Sequence, residues 1–285
     1  MPTLSVLRPL AERLTHHLVV ARRLPPPFQA TRIYVSSEAG LKYLRPSLAA
    51  VDPVLTDLVG EVVRPGHVVW DIGANVGLFA FAAASAATSS GTVVAVEPDT
   101  WLVGMLRRSQ TRSPRHGGSS ATDGRATVKI LPAAVGAAPG ISTFHIASRN
   151  RATSHLDGFG SSQTGGTRAA QLVPTFTLDG LLTHFPAPDV VKIDVEGAEH
   201  AVLSGGRRLL GDIRPTVICE VTGRNAEAVG DLLRGHGYRI VDAEVPPPAR
   251  RPLTAAPWST LAVPDVPPST PRPASGQVPE PLVRA

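Results

Sequence analysis

The sequence has few of the residues on which several classes of protein depend. Of its 285 residues, one is a cysteine and 5% are aromatic. The single cysteine, Cys219, excludes an intramolecular disulfide framework and a zinc site built on several thiolates. Because Cys219 lies within an apolar stretch, we expect it in the core. The scarcity of aromatic residues disfavours a base-stacking surface for single-stranded nucleic acid.

Long hydrophobic runs are also missing. The longest spans residues 78–87, is interrupted by Ser85 and falls well short of the ~20 apolar residues that cross a bilayer. The N-terminus has no apolar segment followed by a small-residue cleavage site. We therefore expect a cytoplasmic protein without an integral membrane segment.

Positive charge is in excess only at the N-terminus. Residues 1–50 contain seven basic and two acidic side chains, whereas the remainder has 21 of each. This balance disfavours a nucleic-acid-binding body, so we expect no nucleic-acid partner. Leucines at helical spacing over residues 4–24 predict a helix, either docked on the domain or in peripheral contact with a membrane.

The chain divides into three predicted parts. Residues 1–50 form a basic helical arm with a connector, in which residues 31–35 predict a strand or hairpin. Residues 51–264 form one domain. Residues 265–285 contain six of the 28 prolines and little apolar material, which predicts a disordered tail. The sequence leaves the oligomeric state open.

From Val68 onward, short apolar runs alternate with helical patterns. This alternation predicts a mostly parallel sheet with helices on both faces and ligands at the carboxyl ends of its strands. The polar, glycine-rich segments 109–125 and 148–167 are predicted loops. The predicted strands cover residues 68–72, 92–96, 127–131, 141–146, 190–194, 216–221, 238–241 and 258–263. After the first strand, a glycine-containing turn leads into a predicted alanine-rich helix that ends at residue 87, and further predicted helices cover residues 101–108, 178–182, 198–210 and 226–236.

The first motif, DIGANVG over residues 71–77, joins the first of these strands to a helix. Gly73 suits a tight turn, and Gly77 suits close packing or close approach of a ligand. Position 75 is asparagine, so the dinucleotide fingerprint G-x-G-x-x-G is absent. Because the carboxylate of Asp71 fits poorly beside a pyrophosphate, the motif favours a ligand with an amino-acid moiety and a sulfonium charge.

Two further motifs end the next two strands. Glu97 follows Asp71 by 26 residues, at the position where nucleoside-binding folds place a carboxylate for the ribose hydroxyls. Ala133 and Ala134 follow the third strand and are small enough for an adenine ring to lie against the backbone. Glu97 could alternatively be a surface acid at a strand end, and the signal from Ala133 and Ala134 is weak without the other motifs.

The fourth motif, KIDVEGAE over residues 192–199, places one lysine and three carboxylates around the end of a strand. Isolated buried charges are costly, so such a cluster is usually paired or functional. Acidic residues also suit a helix N-terminus for structural reasons, which applies to Glu199. A divalent metal on Asp194, Glu196 and Glu220 is conceivable, but their spacing is not a diagnostic ligand set, and we predict no metal.

The segments VVWDIGANVGLFAFAAA, VVAVEPD, ILPAAVG, TFTLDGLL, VVKIDVEGAEHAVLSGG and RPTVICEV occur in this order and resemble the FkbM family of S-adenosylmethionine-dependent methyltransferases. The resemblance covers roughly residues 51–263. It implies a Rossmann-like class I methyltransferase fold, whose seven-stranded sheet has an antiparallel last strand. It also implies methylation of a hydroxyl on a sugar, glycolipid or secondary metabolite. Gly180, where the family often has an acid, and the long segment 109–125 depart from the pattern.

The resemblance also implies roles for single residues. Glu97 would hold the cofactor's ribose, and Ala133 or Ala134 would lie near its adenine. The methionine part would be framed by the first motif, namely Asp71, Gly73, Ala74, Asn75 and Gly77.

Methyl transfer to an oxygen requires alignment of the acceptor and removal of its proton. Asp194 is the first candidate for this role and His155 the second, although a histidine in a polar loop is more often solvent-exposed. His145 and His200 rank lower. The alternatives are a degenerate cofactor-binding scaffold, a nicotinamide-dependent oxidoreductase and a nucleic-acid methyltransferase.

Overall fold

The structure, a computed structural model, describes residues 18–28, 30–111, 124–160 and 165–265. The strands are β1 (Val19–Arg23), β2 (Arg32–Ser36), β3 (Val68–Ile72), β4 (Thr92–Val96), β5 (Thr127–Leu131), β6 (Ala134–Val135), β7 (Gly140–Ala147), β8 (His155–Leu156), β9 (Thr167–Phe176), β10 (Val190–Ile193), β11 (Thr216–Glu220), β12 (Tyr238–Asp242) and β13 (Ser259–Pro264). The α-helices are α1 (Pro53–Val62), α2 (Leu78–Ala87), α3 (Thr100–Thr111), α4 (Leu178–Leu181), α5 (Glu199–Ser204) and α6 (Ala226–Gly235). The 3₁₀ turns are Ser37–Ala39, Leu41–Leu44, Leu48–Ala50, Arg151–Thr153, Gly223–Asn225 and Pro247–Ala249, and a π-helix spans Leu209–Ile213.

Within the described residues, a seven-stranded sheet has the order β12-β13-β11-β10-β3-β4-β5. The β13 strand is antiparallel to both of its neighbours, whereas the other pairs are parallel. This arrangement confirms the predicted class I methyltransferase fold. The chain runs outward from β3 on one side and from β10 on the other, so the topological switch point lies between these two strands.

The central strands are apolar because both faces of the sheet are covered. Every residue of β3 is buried, and successive side chains enter different clusters. Val69 packs with α1, α2 and α3, while Trp70 packs with α4, α5 and α6. This alternation follows from the two-residue period of a strand.

A second, four-stranded sheet has the order β6-β9-β7-β8. The sequence predicts β7 as an extra strand but not its long partner β9, which begins in the predicted loop 148–167. Phe144, Ile146 and Val173 form a small cluster of buried side chains on this sheet. This sheet contributes one wall of the cleft described below.

The prediction that the N-terminal helix extends to residue 24 is wrong. Residues 19–23 form strand β1, which pairs antiparallel with β2, whereas the earlier residues of that helix lie outside the described part of the chain. The hairpin brings Arg22 onto the backbone carbonyl of Arg45 at 2.6 Å. The strand β2 lies where the sequence predicts one. Residues 24–48 supply side chains to the same core as α1 and α2, and the domain boundary at residue 50 stays a prediction.

Two other expectations also differ in detail or lie outside the described residues. The helix predicted over 198–210 is interrupted, because α5 ends at Ser204 and the π-helix begins at Leu209. A side chain at Gly205 would lie 2.4 Å from the Gly136 carbonyl oxygen, so the backbone is closely packed at this break. Most of the predicted loop 109–125 and nearly all of the predicted tail fall outside the described residues.

Over the described ranges, no helix combines the length and hydrophobicity needed to cross a bilayer.

Candidate active site

A cleft opens at the carboxyl edge of the main sheet, beside the switch point between β3 and β10. The space between its walls is about 590 Å³, part of it open to solvent. Six of the residues predicted from the sequence line it, namely Gly73, Asn75, Glu97, Ala133, Ala134 and Asp194. The cleft therefore joins all four motifs.

The turn after β3 requires glycine at its start. Gly73 has a φ of +79°, and a Cβ there would lie 1.9 Å from the carbonyl oxygen of Asp194. The first motif thus touches the fourth motif through the backbone. Asn75 also has a positive φ, +53°, which asparagine tolerates better than most residues. Its Oδ1 is buried and accepts no hydrogen bond from the described protein atoms.

Glu97 is fixed by two backbone amides. Its Oε2 accepts from the N–H of Asn75 at 2.8 Å, and its Oε1 accepts from the N–H of Asp99 at 2.9 Å. Burial raises the pKa of Glu97 to about 8, although these two hydrogen bonds act to lower it. The side chain is therefore held rigidly in the wall of the cleft.

Asp71 lies beneath the cleft and does not line it. It is fully buried, and its Oδ1 lies 3.3 Å from Nζ of Lys192. The same ammonium lies 2.9 Å from the Gly73 carbonyl oxygen and 3.3 Å from Oδ2 of Asp194. The contacts to Gly73 and Asp194 are hydrogen bonds, whereas the contact to Asp71 is an ion pair, because neither side-chain oxygen of Asp71 accepts a hydrogen bond from the described protein atoms. Burial acts to lower the pKa of Lys192, but the charges of Asp71, Asp194 and Glu220 outweigh it, so its pKa lies above the ordinary value.

The remaining residues of the first motif support the turn from within. Gly77 has a φ of +89° and precedes α2, and a Cβ there would lie 2.7 Å from the side chains of Leu106 and Phe81. Ala74 is buried in the core with them. These contacts give both residues a packing role and do not test the predicted role in cofactor binding.

The carboxylates of the fourth motif have separate surroundings. Asp194 and Glu196 line the cleft. Glu199 instead accepts hydrogen bonds from the backbone of Gly197 at 2.6 Å and from the hydroxyl of Thr222 at 3.0 Å. It therefore ties α5 to the segment after β11.

Acidic side chains crowd the ends of β10 and β11. Burial, followed by the charge of Asp194, raises the pKa of Glu196 to about 8. The charge of Asp194, followed by burial, raises the pKa of Glu220 to about 8. Among the described residues, no three His, Cys, Asp or Glu side chains are arranged to hold a metal ion.

His155 lies beside the cleft without lining it. Its neighbours Ser154 and Leu156 are in the wall, but its own ring lies 5.6 Å from the ring of His145. Its Nδ1 is 3.3 Å from the carbonyl oxygen of Thr153. A catalytic role for His155 stays a prediction.

Arg151 is a residue of the cleft that the sequence did not single out. It lines the cleft and pairs with two buried carboxylates, Glu38 and Asp99. These partners are 113 and 52 residues away in sequence. No local pattern marks such a pairing, and with 28 lysines and arginines in the chain this guanidinium did not stand out.

Comparison with known proteins gives a family and several solved structures. The profile of the Methyltransferase FkbM domain family matches residues 71–240. No curated protein matches the chain.

The solved structures are distant. Methyltransferase FkbM from Methylobacillus flagellatus KT is 15% identical, with a TM-score of 0.41 over 73% of this chain and 49% of that one. Precorrin-6y C5,15-methyltransferase from Geobacter metallireducens GS-15 is 13% identical, with a TM-score of 0.41 over 74% of this chain and 86% of that one. A putative protein-L-isoaspartate O-methyltransferase from Plasmodium falciparum, in complex with S-adenosyl-L-homocysteine, is 14% identical, with a TM-score of 0.34 over 64% of this chain and 62% of that one. The chain thus spans about half the length of the first of these proteins.

Proposed function

The chain belongs to the FkbM methyltransferase family and uses S-adenosylmethionine as its cofactor, and we propose that it methylates a hydroxyl oxygen of a sugar, glycolipid or secondary metabolite. The proposal is carried by one observation. Glu97, suited to ribose hydroxyls, and Asp194, suited to an acceptor hydroxyl, line the same cleft on either side of the turn at Gly73. One cleft can therefore bring the two substrates together.

The residues present fit the cofactor. Glu97 offers carboxylate oxygens to the two ribose hydroxyls, and the small side chains of Ala133 and Ala134 leave room for the adenine ring. The Oδ1 of Asn75, which has no partner among the described protein atoms, can accept from the ammonium of the methionine part. Gly73 permits the close approach that this part of the ligand needs.

When bound, S-adenosylmethionine supplies a methyl group on a positively charged sulfur. The protein must hold the acceptor oxygen in line with that methyl group and remove the oxygen's proton. In the proposed mechanism, Asp194 would accept a hydrogen bond from the acceptor hydroxyl and take up its proton. Lys192, 3.3 Å from Oδ2 of Asp194, keeps this carboxylate oriented.

The charge of the cleft supports an uncharged, hydroxylated acceptor. Its ionisable lining residues are Glu97, Asp194, Glu196 and one cation, Arg151. The Nε and Nη1 of Arg151 are already bonded to carboxylates of the protein. A phosphate or carboxylate on the acceptor would face the carboxylate of Asp194, whereas hydroxyl groups would find hydrogen-bond acceptors among these side-chain oxygens.

The proposal is tested by methyl transfer from labelled S-adenosylmethionine to a panel of sugars, glycolipid headgroups and hydroxylated metabolites, with product analysis to locate the new methyl group. We expect an O-methylated product in the wild type. The Asp194→Asn variant should lose turnover while its affinity for S-adenosylhomocysteine stays near that of the wild type. The control is Asp231→Asn, an exposed carboxylate on α6.

Three outcomes would contradict the proposal. A methyl group found on nitrogen or carbon would refute hydroxyl methylation. Full turnover in Asp194→Asn would remove this residue from the mechanism. Tight binding of S-adenosylhomocysteine without transfer to any member of the panel would favour a cofactor-binding module instead.

A further inference from the structure

The guanidinium of Arg151 joins segments that are far apart in sequence. Its Nε donates to Oε2 of Glu38 at 3.1 Å, and its Nη1 donates to Oδ2 of Asp99 at 2.6 Å. Its Cζ lies 4.7 Å from the centre of the Trp101 ring. The side chains of Glu38, Asp99 and Arg151 are 5%, 0% and 12% exposed, so water competes little for these bonds.

This network continues directly to the predicted ribose ligand. The Oδ1 of Asp99 accepts from the N–H of Trp101 at 2.9 Å and so caps the start of α3, while its Oδ2 holds Arg151. The backbone N–H of Asp99 donates to Glu97. Arg151 is therefore bonded to the side chain of the residue whose backbone fixes Glu97.

Arg151 also begins a turn that forms part of the cleft wall at this end. The 3₁₀ turn Arg151–Thr153 connects β7 to β8, and Arg151, Ala152 and Ser154 line the same cleft as Glu97 and Pro98. The hydroxyl of Ser154 accepts from the N–H of Ala147 at 3.1 Å, which anchors the far end of the turn to the second sheet. Arg151 anchors the near end to Asp99 at the start of α3 and to Glu38 in the 3₁₀ turn Ser37–Ala39.

We propose that Arg151 is a positioning residue for the cofactor: its bonds to Asp99 and Glu38 hold the turn at residues 151–153 over the nucleoside end of the cleft and so slow release of the cofactor. Glu38 lies outside the family-matched segment 71–240, so a residue near the N-terminus takes part in cofactor retention. The inference rests on the proposed placement of the ribose at Glu97 and is independent of which atom the enzyme methylates.

Arginine suits this position because its planar fork donates to two carboxylates in different directions. A lysine keeps the charge but reaches only part of this geometry. Methionine keeps the apolar stem and removes every donor. Since hydrogen bonds to charged groups are among the stronger ones, loss of the fork should weaken binding about ten- to a hundredfold.

The experiment measures the affinity and dissociation rate of S-adenosylhomocysteine for the full chain, by calorimetry and stopped-flow fluorescence. The variants are Arg151→Met, Arg151→Lys, Glu38→Gln and the double variant Arg151→Met with Glu38→Gln. The matched control is Arg168→Met, because Arg168 also donates to Oε2 of Glu38, at 2.9 Å, but lies outside the wall of the cleft. Thermal unfolding is recorded for each protein.

We expect Arg151→Met to raise the dissociation rate about ten- to a hundredfold, and Arg151→Lys to restore part of it. The increase in dissociation rate caused by the Glu38→Gln change should be smaller in the Arg151→Met background than in the wild type, because the two residues act through one contact. Arg168→Met should stay within about twofold of the wild type.

Two results would overturn the inference. The first is a cofactor dissociation rate in Arg151→Met equal to that of the wild type. The second is an equal increase of this rate in Arg168→Met, which would assign the effect to the charge around Glu38 alone. If Arg151→Met fails to fold, Arg151→Lys and Glu38→Gln decide, since both retain the side-chain volume. A wild type that binds S-adenosylhomocysteine but methylates no hydroxyl would contradict the proposed function and leave this inference standing.

Discussion

Asp71 and Lys192 are register partners on the adjacent parallel strands β3 and β10, and their charged atoms lie 3.3 Å apart. Both side chains are almost completely buried. The pairing joins the first and fourth motifs, which are separated by more than a hundred residues in sequence. It also places a single cation beneath the turn at Gly73 and beside Asp194. The two motifs therefore form one electrostatic unit.

Replacing Asp71 should destabilise the protein. In Asp71→Asn, Lys192 keeps Asp194 as its partner but loses the buried carboxylate, and breaking a buried pair in this way costs about 3 kcal/mol of unfolding free energy. The control is Asp231→Asn, which breaks an exposed pair with Arg234 and should cost less than about 1 kcal/mol. Denaturant unfolding measures both. Equal stability of Asp71→Asn and wild type would show that the buried pair contributes nothing net.

Replacing Glu97 should weaken cofactor binding. In Glu97→Ala, the ribose hydroxyls lose the two side-chain oxygens that accept their hydrogen bonds, which corresponds to a loss of roughly thirty- to a hundredfold in affinity for S-adenosylhomocysteine. Calorimetric titration measures the loss. Glu227→Ala, which removes an exposed acid from α6, is the control and should bind as the wild type does. Unchanged affinity in a folded Glu97→Ala protein would place the ribose elsewhere.

The main sheet could be predicted from the sequence because its central strands are buried on both faces. The strands β3 and β10 consist almost wholly of buried residues, so they appear as short apolar runs. In contrast, eight of the ten residues of β9 are partly or fully exposed. The sequence of β9 therefore has no apolar pattern from which its pairing with β7 could be predicted. The strand β1 is half-exposed, and its apolar residues continue the helical spacing of the leucines before it.

The residues of the candidate site also fall into those that the sequence could predict and those that it could not. Gly73, Glu97 and Asp194 could be predicted because each follows a strand directly, so local sequence places it at the carboxyl edge. The contacts of Arg151 with Glu38 and of Lys192 with Asp71 depend on tertiary packing, since the partners are 113 and 121 residues apart. Such pairings are set by strand order and loop conformation, which a single sequence does not specify.

The crowded carboxyl groups predict that stability falls as pH rises. Glu196 and Glu220 each have a folded-state pKa of about 8, above the ordinary value of 4.5, so the folded state binds more protons than the unfolded state between these values. The free energy of unfolding should therefore be highest near pH 4.5 from this source and decrease toward pH 8. Ion pairs elsewhere in the protein lose stability as pH falls, which acts in the opposite direction. The contribution of Glu196 must therefore be measured as a difference in stability between wild type and variant.

The measurement is denaturant unfolding of wild type and Glu196→Gln at pH 5, 6.5 and 8. Because glutamine does not titrate, the variant should gain stability relative to the wild type as pH rises. Glu227→Gln, an exposed acid on α6, should follow the wild type at every pH. A constant difference between Glu196→Gln and wild type across this range would contradict the raised pKa of Glu196.

The turn at Gly73 should tolerate no side chain. In Gly73→Ala, the Cβ would lie 1.9 Å from the carbonyl oxygen of Asp194, at a φ of +79° that alanine rarely adopts. Neither atom is the end of a flexible side chain, so β3 and β10 must separate at their carboxyl ends, at a cost of at least about 2 kcal/mol. The cleft should widen as well, so affinity for S-adenosylhomocysteine should fall together with stability. Gly104→Ala is the matched control, because Gly104 lies in α3 with open space around it, and the variant should gain up to about 1 kcal/mol. A Gly73→Ala protein that keeps both the stability and the affinity of the wild type would show that the contact between the two motifs is looser than 1.9 Å implies.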